Sequence, residues 1–116
     1  MKPRDRTSLQ DIVEQVRTIQ QYLSGYTREE FVNDPLRQDA VIRRFEMLGE
    51  AAARLSDAFR STHPAVDWRV MRDMRNFLIH IYDAVDTTIV WRTAQEDLAP
   101  LLAAVEKMLA EDDEDN

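Results

Sequence analysis

A chain of 116 residues with 44% hydrophobic side chains is long enough for one apolar core and short for two, so a single domain over residues 1–110 is expected. The absence of cysteine excludes a disulfide framework, a thiolate zinc site and a cysteine nucleophile, and fits a reducing, cytoplasmic setting; no apolar run of about 18 residues is present and MKPRDRTSLQ lacks a secretory apolar stretch, so neither membrane nor export is expected. The net charge of −7 argues weakly against nucleic acid, yet five acids sit in EDDED at 111–115, and without them 17 acids face 15 bases, which leaves room for a local basic patch.

With two glycines, four prolines and no alternating strand pattern, the sequence reads as all-α. The first helix is expected to start at Thr7 or Ser8 as cap, to align Leu9, Ile12, Val13, Val16, Ile19 and Leu23 in one stripe, and to stop at Gly25. TREE then forms a capping box, with Thr27 three residues before Glu30, and opens a short second helix closed by Asn33, Asp34 and Pro35. A long third helix, about Leu36 to Ser61, is expected from Val41, Phe45, Leu48, Ala52, Leu55 and Phe59, which recur at spacings of four and three. On its opposite side Asp39, Arg43, Glu46, Glu50 and Arg54 form a ladder of i, i+4 charges, either a solvated face or part of a dimer seam. The fourth helix should follow HPAVD with Asp67 as cap. The fifth should follow Asp86 and continue through Val90, Leu98, Leu101, Val105 and Met108 with a bend at Pro100. Four long helices and one short one, joined by short loops, make an up-and-down antiparallel bundle. The acidic residues 111–116 should form a disordered tail.

The fourth helix carries the one stretch that core formation does not explain, RNFLIHIYD at residues 75–83. At about 100° per residue, Val70, Met74, Phe77, Ile81 and Ala84 share the core stripe. Arg72, Arg75, Asn76 and His80 fall on the other side. Asn76 and His80 are an i, i+4 pair, whereas Arg75 lies about 140° around the axis from His80. One straight helix does not bring both onto one small group; two facing copies do, each supplying an arginine and a histidine to a shared groove, with Ile79 at the seam. Arg69, Arg72 and Arg75 gather just before and at the start of this stretch, where a local basic patch is possible. There is no phosphate-binding glycine loop, metal-ligand cluster or nucleophile triad, so neither cofactor nor metal is expected.

Arg75, four residues, His80, one residue and Tyr82 form an R-x4-H-x-Y pattern. Together with GEAA at 49–52, the RN pair and the VD followed by VW, it resembles the HepT-like branch of the HEPN superfamily, and the likeness runs from about Ser8 to Leu109. Departures are Ile81 and Asp83, where many relatives carry glycine and phenylalanine; Ile81 favours a helix that runs straight past His80. The resemblance implies the HEPN fold and a metal-independent ribonuclease, usually a homodimer, acting as the toxin of a toxin-antitoxin pair. Arg75 and His80 would be catalytic, Asn76 and Arg72 would orient or bind RNA, and Tyr82 would accept AMP from a minimal nucleotidyltransferase of the MntA kind, the cognate partner. Two other readings stay open: a noncatalytic antitoxin or regulatory subunit of that nucleotidyltransferase, and a purely structural helical dimer.

Overall fold

The computed structural model describes residues 1–69, 71 and 86–115. Among them the structure is all helical: α1 (Pro3–Leu23), α2 (Arg28–Val32), α3 (Pro35–Ala53), α4 (Asp57–Thr62), α5 (Thr87–Glu96) and α6 (Leu98–Asp115). No helix among the described residues is long and apolar enough to cross a membrane.

The first helix starts earlier than Thr7 or Ser8. Pro3 occupies its first turn, where a missing N–H costs nothing, and Ser8 is buried rather than free to cap. The expected stripe is the buried one: Leu9, Ile12, Val16, Ile19 and Leu23 enter the core and Val13 packs at its margin. Gly25 follows with φ +78°, a left-handed conformation that suits glycine and turns the chain after α1.

Both arms of the capping box are present in α2. Thr27 Oγ1 accepts from the Glu30 N–H at 3.1 Å, and Glu30 Oε1 accepts from the Thr27 N–H at 2.9 Å. This short helix drives Phe31 fully into the core, with its ring 5.7 Å from that of Trp91. Asp34 then caps α3, accepting from the Arg37 N–H at 3.1 Å, and Pro35 fills the first helical position.

The long third helix expected to run to Ser61 is two helices. The seam Val41, Phe45, Leu48, Ala52, Leu55 and Phe59 is buried along its whole length, but α3 ends at Ala53 and α4 starts after Ser56. The break is a tertiary effect. Ser56 Oγ caps α4 by accepting from the Phe59 N–H at 3.2 Å, while the Ser56 N–H and hydroxyl both donate, at 2.7 Å each, to the carboxylate of Asp5 on α1. Asp5 is buried, and these bonds are what make burial of its carboxylate tolerable.

Polar contacts fix the helix directions. Arg37 at the start of α3 donates to the Tyr22 carbonyl near the end of α1, Arg44 reaches Gln15, and Arg54 at the end of α3 reaches Asp11 at 3.2 Å in the first half of α1. The two helices are therefore antiparallel. The same logic makes α1 and α6 antiparallel, because Arg17 meets Glu106 and Arg6 meets Asp112. Within the charged ladder of α3, Arg43 pairs with Glu46 at i+3 and Arg54 with α1, so part of that ladder is a helix-to-helix contact and not only a solvated face.

The bend expected at Pro100 falls earlier. Helix α5 ends at Glu96, Asp97 turns the chain, and α6 starts at Leu98 with Pro100 in its first turn. Had the helix continued, Pro100 could not have donated to the Glu96 carbonyl and its ring would have pressed on it, so the chain breaks one turn before the proline. The acidic tail is corrected as well: residues 111–115 are the last turns of α6. Asp112 is buried there, accepting from Arg6 at 2.8 Å and from the Met1 amino group at 3.0 Å, and Arg6 also meets Asp113 at 2.7 Å. Those cations offset the cost of placing carboxylates at the negative end of a helix.

Candidate functional site

The residues singled out for chemistry, Arg72, Arg75, Asn76, His80 and Tyr82, lie outside the described residues, as do Ile79, Ile81 and Asp83. What the structure does show is how the chain is fixed on either side of them.

On the N-terminal side the anchor is aromatic. After Asp67 the backbone is helical at Trp68, Arg69 and Met71. Trp68 is buried, its indole N–H donates to the His63 carbonyl at 3.0 Å, and its ring lies 6.0 Å from that of Phe59 in a tilted arrangement. Phe59 in turn carries the His63 imidazole stacked on it, with centroids 4.0 Å apart and planes inclined by 19°. His63 Nδ1 lies 2.9 Å from the Phe59 carbonyl oxygen and 3.0 Å from the Thr62 hydroxyl. His63, the chain's other histidine besides His80, is engaged in closing α4. Met71 packs against the main core. Through Ser56 and Asp5 this whole aromatic block is tied to α1.

The C-terminal anchor is a cap. Asp86 stands where the sequence places it, and its side chain accepts from the Thr88 N–H at 2.8 Å to start α5. Val90 is buried one turn later, and Trp91 packs on Phe31, which links this anchor to α2. Between the two anchors, α3 and α6 contribute to a mostly apolar cavity of about 360 Å³ whose described lining includes Phe45, Leu48, Val66, Met71, Leu98 and Leu101.

Among the described residues no group of three or more histidine, aspartate or glutamate side chains is arranged to hold a metal ion. Among the described residues one group has a shifted ionisation. The Met1 amino group and the Arg6 guanidinium, by hydrogen bonding to the Asp112 carboxylate, hold it below its ordinary value of 3.8 against the opposing effect of burial. Asp112 lies at the α1–α6 end of the bundle, and its role there is to fasten the last turns of α6.

One shallow depression opens beside the N-terminal anchor, and sequence reasoning did not single it out as a unit. Arg60 and Ser61 of α4 face Trp68 and Arg69 across it, with Asp57, Val66 and Asp67 completing the described lining. Its signal in the sequence is weak, because periodicity assigns Arg60 to the long seam helix and it lies nine positions from Arg69.

Comparison with known proteins bears directly on the segment between the anchors. The family model described as "Ribonuclease HepT-like" matches residues 12–108, a span that contains all of Arg75 to Tyr82. A protein of Thermococcus cleftensis named "Probable ribonuclease HepT" is 37% identical over 108 residues, covering 93% of this chain and 98% of the relative. A protein of Methanocaldococcus jannaschii whose name proposes RNase activity is 34% identical, covering 91% and 98% of the two chains. Another such protein, from Caldanaerobacter subterraneus, is 33% identical and covers 90% and 93%. No solved structure matches. With a matched span far beyond half the chain and relatives above 30% identity over nearly their full length, the chain belongs to the ribonuclease HepT-like family.

Proposed function

We propose that this protein is a metal-independent ribonuclease of the HEPN type that works as a homodimer and serves as the toxin of a toxin-antitoxin pair. The observation that carries the reading is the family match across residues 12–108, which contains the whole R-x4-H-x-Y pattern. In this reading the ribose 2′-hydroxyl attacks the adjacent phosphorus and its proton passes to His80. The guanidinium of Arg75 stabilises the charge that builds on the phosphorane-like transition state. The 5′-oxygen leaves with a proton from the partner subunit's His80, so the reaction needs one histidine as base and one as acid. The products are a 2′,3′-cyclic phosphate and a 5′-hydroxyl. Asn76 orients His80 or holds a phosphate oxygen, and Arg72 binds the strand.

Control in this reading falls to Tyr82. A small nucleotidyltransferase transfers AMP to its phenol, which adds a negative charge that competes for Arg75 and bulk that closes the route to His80.

Expression of the wild type beside Arg75→Ala and His80→Ala tests the nuclease. Growth arrest and RNA cleavage should need both residues and should persist in a chelator; activity that survives His80→Ala, or that vanishes in a chelator, sinks the proposed chemistry, whereas a wild type that neither arrests growth nor cuts RNA favours a noncatalytic subunit. Coexpression with a nucleotidyltransferase encoded nearby, followed by intact-mass measurement, should add AMP to the wild type and none to Tyr82→Phe.

A further inference from the structure

We infer that the depression between α4 and the chain entering the motif is a phosphate subsite for the RNA strand, in which Arg69 supplies the charge and Arg60 with Ser61 supplies the walls. The inference rests on the ribonuclease reading. Arg69 is exposed, and among the described residues no ion pair engages it. It follows directly on Trp68, whose buried indole holds that stretch to the end of α4, so the position of Arg69 is set by a rigid neighbour. Across the depression Arg60 is held by the Asp57 carboxylate one turn earlier, an i, i+3 pair that orients the guanidinium but leaves N–H groups on its other edges. Ser61 is exposed beside it, and its hydroxyl is a further donor that can turn from the Asp57 carbonyl to a ligand.

Three donors from two helical elements, around a depression of about 520 Å³, suit an anionic group on a flexible strand. The formal charge of the depression is balanced, since Asp57 and Asp67 also line it. That balance decides the type of ligand. A free anion gains little from a neutral site, whereas a phosphate on a strand already held by the motif arrives at high effective concentration and needs only one added contact. In sequence Arg69 lies three residues before Arg72 and six before Arg75, close enough along the chain for one strand to meet both the depression and the motif.

The test uses the full chain carrying His80→Ala, which leaves RNA uncut, and a short single-stranded RNA of mixed sequence read by fluorescence anisotropy between 50 and 200 mM salt. Adding Arg69→Ala should reduce the slope of log K against log salt by about 0.7, which amounts to about threefold less loss of affinity across that range. Arg69→Lys should restore the slope because charge is what the strand reads. Arg17→Ala, on the exposed face of α1, serves as the control for loss of a surface charge and should leave the slope unchanged. If Arg69→Ala and Arg17→Ala give the same slope and affinity as the parent, the subsite is wrong while the nuclease reading stands. If the wild type neither cuts nor binds RNA, both fall. If Arg69→Ala instead alters only capture of the nucleotidyltransferase, the depression belongs to a protein interface.

Discussion

Removal of the Asp5 carboxylate should uncouple α4 from α1 and destabilise the fold more than its position near the N-terminus suggests. The carboxylate accepts two bonds of 2.7 Å, from the Ser56 N–H and hydroxyl. Hydrogen bonds to a charged group contribute about 1.5 to 3 kcal/mol each. Ser56 is only half-buried, so water replaces part of what Asp5→Ala removes, and the lower end of that range applies, about 3 kcal/mol in all. For 116 residues this corresponds to a fall in Tm of about 12 °C. Asp5→Asn keeps one acceptor but turns an amide N–H2 toward a donor, and should lose about half as much. Urea unfolding at one fixed protein concentration measures these costs without a shift from any change in assembly. A double-mutant cycle with Ser56→Ala isolates the bond between the two side chains, and coupling of about 1 to 2 kcal/mol is expected. Should Asp5→Ala cost less than about 1 kcal/mol and the two substitutions also add within about 0.3 kcal/mol, the tertiary origin of the α3–α4 break is refuted.

Three other outcomes follow from local geometry. Asp112 ionises below 3.8, so the stability it contributes is present above that value and disappears as the pH falls through its lowered folded value; acid unfolding curves of wild type and Asp112→Asn should be apart at pH 5 and converge in strong acid. Convergence already at pH 5 would count against the Arg6–Asp112 contact. Trp68→Phe removes one N–H donor while keeping an aromatic ring against Phe59, and should cost about 1 to 2 kcal/mol in urea unfolding, including the smaller ring; no loss would mean that the His63 carbonyl does not need its donor. Thr27→Ala breaks the capping box of α2 and should cost about 1 kcal/mol, whereas Thr27→Ser should be close to neutral.

The helices were legible where local chemistry decides them. The stripe of α1, the Thr27–Glu30 box and the Asp86 cap each depend on residues within one turn of one another, and each stands as the spacing implies. The breaks were not legible for the opposite reason. Leu55 and Phe59 continue the heptad-like spacing of Val41 to Ala52, so hydrophobic periodicity passes straight over Ser56; the group that ends α3 there is Asp5, fifty-one positions away. Ser8 looked like a cap because serine often is one, but its place on the buried side of α1 removes it from the helix end. The acids of 111–115 read as a solvated run because like charges repel, and only the fold supplies Arg6 to Asp112 and Asp113. For the site, the sequence yields the pattern from Arg75 to Tyr82 and the family match spans it, while the structure describes the anchors and not those residues. The Arg60–Arg69 depression needed the turn at 63–67, which no periodicity encodes.

The aromatic anchors have an optical consequence. The chain has two tryptophans, Trp68 on the N-terminal side of the motif and Trp91 on its C-terminal side, one against Phe59 and the other against Phe31. Single-tryptophan variants therefore give two intrinsic emitters that bracket the segment from Arg75 to Tyr82 without any label. Red shifts or quenching confined to the Trp68 emitter on adding RNA would report on the strand entering past α4. A change confined to the Trp91 emitter would report on whatever meets α2 and α5. The protein can thus be titrated with RNA, or with a nucleotidyltransferase, and the side on which each arrives can be read from emission alone.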